Sequence, residues 1–494
     1  MVVNRLRRNV VLSLCFTVLN ALAMMWMIRV AGLVFPPFVL GLFLLARRLS
    51  SVGANLLHLG MPQTLLRHIS LNFMDEKKKC LYVGGALLIW LGLVVLMIPL
   101  FYCMDSVLAV WAFSSADDDH VVLTFWVCVL ALNTVLSFIT YSTLLAERRI
   151  VPAYLVEFMN ISGFLLLALL WWGKEATPVR VLQFQAVAMM VLSFSVLAFY
   201  FGEARALAPR LEELEETLQV FISYGMPRTP IPFLDMLILL IGPWLLRARL
   251  NEAGFLVIAL TLVQMIQASI APMTQIASTA VARLIGVGDH TSVGAGVRLL
   301  FGVSMYATIL TLGFLAPWYD HLLGFWLKDP QLTEGVSRYF AVLLWGIVPL
   351  VIFQSLKSII EMLWARPFNL YTLLVGVGMQ VALYATLTPW FGVSSAICIS
   401  MLVAYWGMGC LTLVWVGPTY LRPIRYWGLE RLTAIVFAVV GLNVWLEKGW
   451  GGSSILAAVG LSIAIVIVGF RVFAPAPIVR AMQVAIWPQL QADG

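Results

Sequence analysis

Residues 83–103 read VGGALLIWLGLVVLMIPLFYC, with no charged side chain among them. At about 1.5 Å of rise per residue, a helix of this length crosses a hydrocarbon core of about 30 Å. Similar runs recur along the chain, 453–470 among them, and the 494 residues are 62% hydrophobic and 11% charged, with a mean hydropathy of +0.96. A soluble domain carries about 25% charged residues. A water-soluble fold is therefore excluded, and the expectation is an all-α polytopic membrane protein.

Working outward from that run, apolar windows and their breakers place spans near 10–33, 38–60, 81–103, 121–145, 152–172 and 180–201. Six more follow near 223–246, 254–276, 296–317, 338–360, 367–389 and 392–416, then a last pair near 430–446 and 453–473, about fourteen in all. Arg5, Arg7 and Arg8 precede the first span, and apolar sequence continues past Ala21-Leu22-Ala23 to Phe35, too far for a cleaved signal core. With the N-terminus inside, alternate loops collect Lys77-Lys78-Lys79, Arg148-Arg149, Arg205, Arg210 and Arg422. That side holds more than twice the Lys and Arg of the other, so both termini are expected on the cytoplasmic face of the inner membrane. The net charge of +7 is scattered between spans and forms no basic face for nucleic acid. Six cysteines without CxxC spacing argue for neither a disulfide nor a metal site. Asp117-Asp118-Asp119-His120 reads as a solvated outer loop of roughly sixteen residues.

The longest break in the apolar pattern is 202–218, with leucines at helical spacing in Leu211-Glu212-Glu213-Leu214-Glu215-Glu216. It divides the chain into an N-terminal six-helix lobe (1–205), a cytoplasmic amphipathic linker helix (206–222), a second six-helix lobe (223–418) and a final helix pair with tail (419–494).

Polar residues inside spans carry the functional signal. Arg47 and Arg48 fall near the bilayer midplane, where each Arg costs about 2.5–3.5 kcal/mol and must face protein or water. Arg48, Ser51, Asn55 and His58 share one helical face, the candidate lining of a hydrated cavity. The alternative is pairing with a buried carboxylate such as Glu157 or Asp235. The eighth span carries its own stripe of Thr261, Gln264, Gln275 and Ser278, and the seventh opens with three prolines, 227, 230 and 232, that cannot continue a regular helix. Asn20 and Arg29 in span one, and Gln354, Lys357 and Glu361 in span ten, are further cavity candidates.

The stretch 41–70, GLFLLARRLSSVGANLLHLGMPQTLLRHIS, resembles the second-helix signature of polysaccharide flippases. YGMP at 224–227, NEAGFLVIALTLVQMIQ at 251–267, ARLIGVGD at 282–289 and LGFWLKDP at 323–330 are similar to later segments of the same group. These belong to the multidrug, oligosaccharidyl-lipid and polysaccharide (MOP) exporter superfamily, O-antigen and capsular polysaccharide flippase branch. Ile241-Gly242-Pro243-Trp244 departs from it, because many relatives carry an acidic-basic pair there. The resemblance implies two pseudo-symmetric lobes, alternating access to a central cavity, and a glycan on polyprenyl diphosphate as substrate.

On this reading Arg47 and Arg48 bind phosphate, and Asn55, Gln264 and Gln275 lie toward the glycan, with Arg29, Ser51 and Thr261 completing the cavity. Asp235 and Glu157 are the candidate cation or proton sites for a coupling ion, Na+ or H+. No cofactor is expected, and no Walker-type motif supports a built-in ATPase. Membrane lipids and other polysaccharide assembly proteins are the expected partners. The alternatives are a drug or cation exporter of the same superfamily, and a membrane glycosyltransferase or polymerase using the outer acidic residues; the first reading makes the protein no enzyme.

Overall fold

The computed structural model describes residues 2–72, 75–115, 117–147, 149–203, 211–268, 290–364 and 367–421. The expected last two spans lie outside the described residues, as do Gln275 and Ser278. Among the described residues the chain is helical with no strand. Eleven helices among the described residues are long and apolar enough to cross a membrane, and Pro330–Leu344 with Ile347–Glu361, bent by 62°, makes a twelfth if read as one broken span. These coincide with the first twelve expected spans. The protein is a multi-pass membrane protein.

Contacts divide the chain into two units, Met1–Ile258 and Ala259–Gly494. The first is built from α1 (Val2–Val34), α2 (Pro37–Leu57), α3 (Met61–Leu71), α4 (Glu76–Phe113), α5 (Asp118–Ala146), α6 (Ile150–Phe158), α7 (Phe164–Trp172), α8 (Pro178–Glu203), α9 (Leu211–Val220) and α10 (Pro230–Leu245). It ends in the first half of α11 (Leu250–Ala268). In its most apolar window α5 is 61% buried and α4 only 6%. Thus α5 is the unit's centre, packed by α2, α3, α4 and α8, and α4 presents its apolar surface outward. Side-chain donors tie this core to carbonyls that water cannot reach: Trp90 Nε1 donates to Leu132 (2.8 Å) and Asn133 Nδ2 to Ala186 (2.9 Å).

Two expectations change. The outer loop after span three is far shorter, because α4 continues through Pro99 and a kink at Met104 (φ −133°) to Phe113. Asp118 and Asp119 then form the first turn of α5, where the helix dipole favours negative charge. The linker helix α9 also runs directly into the seventh span through a π-turn at Phe221–Gly225 and a 3-10 turn at Met226–Arg228. The three prolines are thus accommodated by irregular backbone, and α10 starts at Pro230, where a missing N–H costs nothing.

In the second unit, Phe368–Phe391 and Val393–Val416 form a hairpin turned at Gly392 (φ +74°). Ile347–Leu363 packs on the second of these helices around Phe353, Leu356, Met401 and Tyr405, all fully buried. Asn369 Nδ2 donates to the Lys357 carbonyl (2.7 Å) and to Glu361 Oε1 (3.0 Å), so this end of span ten serves a helix–helix junction.

Backbone contact at glycine joins α2 to the later helices of its unit. A Cβ on Gly41 would overlap the Leu250 carbonyl, and one on Gly254 would lie 2.7 Å from Gly41 Cα. Gly41→Ala is therefore expected to lower the thermal midpoint of the purified protein in detergent by several degrees. Gly92→Ala, at an exposed position with open space around it, should leave the midpoint unchanged or raise it, since Ala gains about 0.5–1 kcal/mol over Gly in a helix. Thermal unfolding monitored by intrinsic fluorescence distinguishes them.

Candidate functional site: a mid-helix arginine against a π-turn

Arg47 and Arg48 stand at the middle of the 21-residue α2. Arg48 is buried and Arg47 half-buried. The fifth span faces Arg47 with a π-turn, Met159–Gly163, inserted between α6 and α7. A π-turn displaces the i→i+4 ladder, and such insertions cluster at functional sites. Here two successive carbonyls take side-chain donors: Arg47 Nη2 donates to Ile161 (2.8 Å) and Gln185 Nε2 of α8 to Asn160 (2.7 Å). Sulfur atoms of α1 close the other side, with Met27 Sδ 3.8 Å from Arg47 Nη1 and Met24 Sδ 3.9 Å from Ser162 Oγ. Three elements thus meet at one guanidinium, and α8 joins them through the same π-turn. Among the described residues Arg47 makes no ion pair, and a guanidinium has five N–H donors.

Ser51 is exposed and Asn55 half-buried on α2. Each donates to its own helix, Ser51 Oγ to the Arg47 carbonyl (3.1 Å) and Asn55 Nδ2 to the Ser51 carbonyl (2.9 Å). An accessible polar edge at mid-helix is what a hydrated cavity requires. His58, expected on that same face, instead is buried, and its Nδ1 accepts from the Gly60 N–H (2.9 Å), closing the turn between α2 and α3. Glu157 is half-buried on α6, one turn before Ile161 and in electrostatic reach of the Tyr141 hydroxyl. Asp235 is half-buried on α10, which packs on α2. Arg29 is half-buried on α1 with no hydrogen bond or ion pair among the described residues. Thr261, buried, and Gln264, half-buried, belong to the second unit.

Sequence reasoning missed Asn160 and Gln185, although a polar Asn-Ile-Ser-Gly run inside an apolar span was the available signal. It also read Lys79 as one of three surface lysines. Its side chain is only 6% exposed, with Nζ 2.6 Å from Glu76 Oε1 and 2.8 Å from Glu147 Oε1. The Tyr200 hydroxyl donates to the same Glu147 oxygen (3.3 Å), and Arg149 Nε stands 3.8 Å from the other. This network clamps the adjoining ends of α4, α5 and α8.

No protein-family model matches the chain, and no curated protein matches it in sequence. Solved structures do. A lipid II flippase MurJ in an inward closed conformation superposes with a TM-score of 0.68 at 12% identity, covering 94% of this chain and 98% of its own. The chain has the MOP-superfamily fold. An inward-facing multidrug resistance MATE family transporter of that superfamily matches at TM-score 0.62 and 13% identity, over 86% of this chain and 99% of its own. A superfamily transporter from Pyrococcus furiosus, described as having a binding pocket of reverse polarity, matches at 0.58 and 15%, over 83% and 93%.

Removing one partner of a buried ion pair costs about 3–5 kcal/mol because the other charge is left behind. Glu147→Ala should accordingly lower stability toward that range, discounted for the remaining contact of Lys79 with Glu76. The double variant Lys79→Met/Glu147→Leu should recover most of the loss, as read by denaturant unfolding in micelles.

Proposed function

We propose that this protein moves a polyprenyl-diphosphate-linked oligosaccharide from the inner to the outer leaflet of the cytoplasmic membrane by alternating access, in the making of a surface polysaccharide. The observation that supports this most is Arg47: a positive charge at mid-helix, anchored by a carbonyl rather than neutralised by a carboxylate. Such a group keeps its charge for an anion that must leave water, and guanidinium geometry matches phosphate oxygens. Arg48 beside it supplies a second donor set. Ser51 and Asn55 offer hydrogen bonds to sugar hydroxyls on the accessible edge of α2, and Thr261, Gln264 and Gln275 are proposed to do so from the second lobe. The similarity to a lipid II flippase agrees with a lipid-linked cargo.

Export of cationic drugs, the alternative within the superfamily, would call for net negative charge where this chain places two arginines. A glycosyltransferase acting through the outer acidic run is disfavoured by the short turn between α4 and α5. We assign the coupling-ion role to Glu157 or Asp235, with Na+ or H+ as the ion. The termini are placed in the cytoplasm by the distribution of Lys and Arg.

Cells depleted of the protein should accumulate lipid-linked glycan on the inner leaflet, out of reach of an external lectin, with mass spectrometry of the lipid extract identifying it. Normal lectin labelling after depletion would end this reading. Arg48→Ala should cut translocation about tenfold or more at unchanged membrane levels, the loss of one charge-assisted contact worth about 1.5–3 kcal/mol. Full activity in that variant would return Arg48 to a structural role.

A further inference from the structure

A second cationic cluster lies in the first unit where α3, between the second and third spans, packs on the π-turn that opens the seventh. The guanidinium carbons of Arg67 and Arg228 lie 4.7 and 3.9 Å from the centre of one ring, Tyr224. Arg228 Nη1 also donates to the Tyr224 carbonyl (2.8 Å), which fixes the stack. His68 meets the same ring edge-on at 5.5 Å and leans on Tyr82 at 5.2 Å. Burial first, and the charge of Arg67 second, hold the His68 pKa below its ordinary value. The imidazole therefore supports the ring without adding charge.

The neighbouring basic residues differ from this pair. Lys77 is paired with Glu213, Lys78 with Asp75, and Lys79 with Glu76 and Glu147. Arg67 and Arg228 are exposed and make no ion pair among the described residues. Two like charges share one ring with no counter-ion among the described residues, which favours an anion able to span both. Leu66 on α3, and Ile222 and Met226 in the turns that carry Tyr224 and Arg228, are exposed as well, at 41%, 63% and 52%. The same two stretches, α3 and the turns that open the seventh span, thus carry both exposed charge and exposed hydrocarbon, the pairing of chemistries that a lipid phosphate and its tail present.

We propose that this cluster binds the phosphate of a membrane lipid, with Arg67 and Arg228 on the phosphate oxygens and Leu66, Ile222 and Met226 bordering the tail. The site is separate from Arg47 and does not rest on the transport reading. Its test uses the purified full-length protein in detergent with four probes: phosphatidylglycerol, farnesyl diphosphate, phosphatidylcholine and inorganic pyrophosphate, followed by native mass spectrometry.

At least one of the two anionic lipids should be retained about tenfold more tightly than phosphatidylcholine, and Arg67→Gln/Arg228→Gln should erase that preference. Which anionic lipid wins identifies the source of the phosphate, isoprenoid or phospholipid. Arg180→Gln, an exposed arginine elsewhere, should bind like the wild type. If the double variant does not fold, Arg228→Gln alone should weaken binding about threefold. Equal retention of phosphatidylcholine, unchanged binding in the glutamine variants, or pyrophosphate binding as tightly as the lipids would overturn the proposal.

Discussion

The hydrogen bond from Arg47 Nη2 to the carbonyl of Ile161 (2.8 Å) is the interaction on which the first unit's interior turns. In hydrocarbon no water satisfies a polar group, so a charge at mid-helix dictates what surrounds it. The fifth span answers with a π-turn, whose opened ladder offers carbonyls beyond those its own N–H groups consume. Gln185 takes the adjacent carbonyl and thereby ties α8 to the same turn. The arginine, the π-turn and the glutamine form one arrangement, because each alone would leave a donor or an acceptor unmatched in an apolar core.

Close packing of backbone is the second constraint, and it sets where α2 can lie. Gly41 against Leu250 and Gly60 against Gly225 bring main chains together where no side chain would fit. Helices in lipid gain little from burying apolar surface, so contact of this kind takes over the work of adhesion. The positive φ of Gly60, +70°, also turns the chain from α2 into α3. That turn delivers Arg67 and His68 to the start of the seventh span. The cluster on Tyr224 is thus a consequence of the same glycine contacts that seat Arg47.

Much of this was legible in the sequence, and what was not has identifiable causes. Hydropathy located the first twelve spans because a bilayer permits few alternatives to an apolar helix of fixed length. The prolines at 227, 230 and 232 announced irregular backbone, since a missing N–H cannot be hidden. Arg47 and Arg48 stood out by their depth. The π-turn left no comparable mark, because one extra residue in a helical turn barely alters the apolar pattern around Asn160. Lys79 was misread for a related reason: its partner Glu147, which also accepts from Tyr200, lies beyond its own helix, and distance along the chain conceals it. His58 looked like a cavity residue because helical spacing reports a face, whereas the turn that follows decides what that face meets.

The sign of the buried charge constrains the cargo more than the fold does. A fold shared by a lipid II flippase and multidrug transporters is neutral on substrate. An arginine at the bilayer centre costs about 2.5–3.5 kcal/mol on insertion scales, and a hydrogen bond to a charged group returns about 1.5–3 kcal/mol. The bond to Ile161 therefore offsets most of the cost of placing Arg47 there without cancelling its charge. What survives is a positive potential in a medium of low dielectric, where Coulomb interactions are several-fold stronger than in water. A cationic drug approaching that site would meet repulsion that only a carboxylate could relieve. A diphosphate would meet there a positive charge that offsets its lost hydration, and on this balance the proposal of an anionic cargo rests.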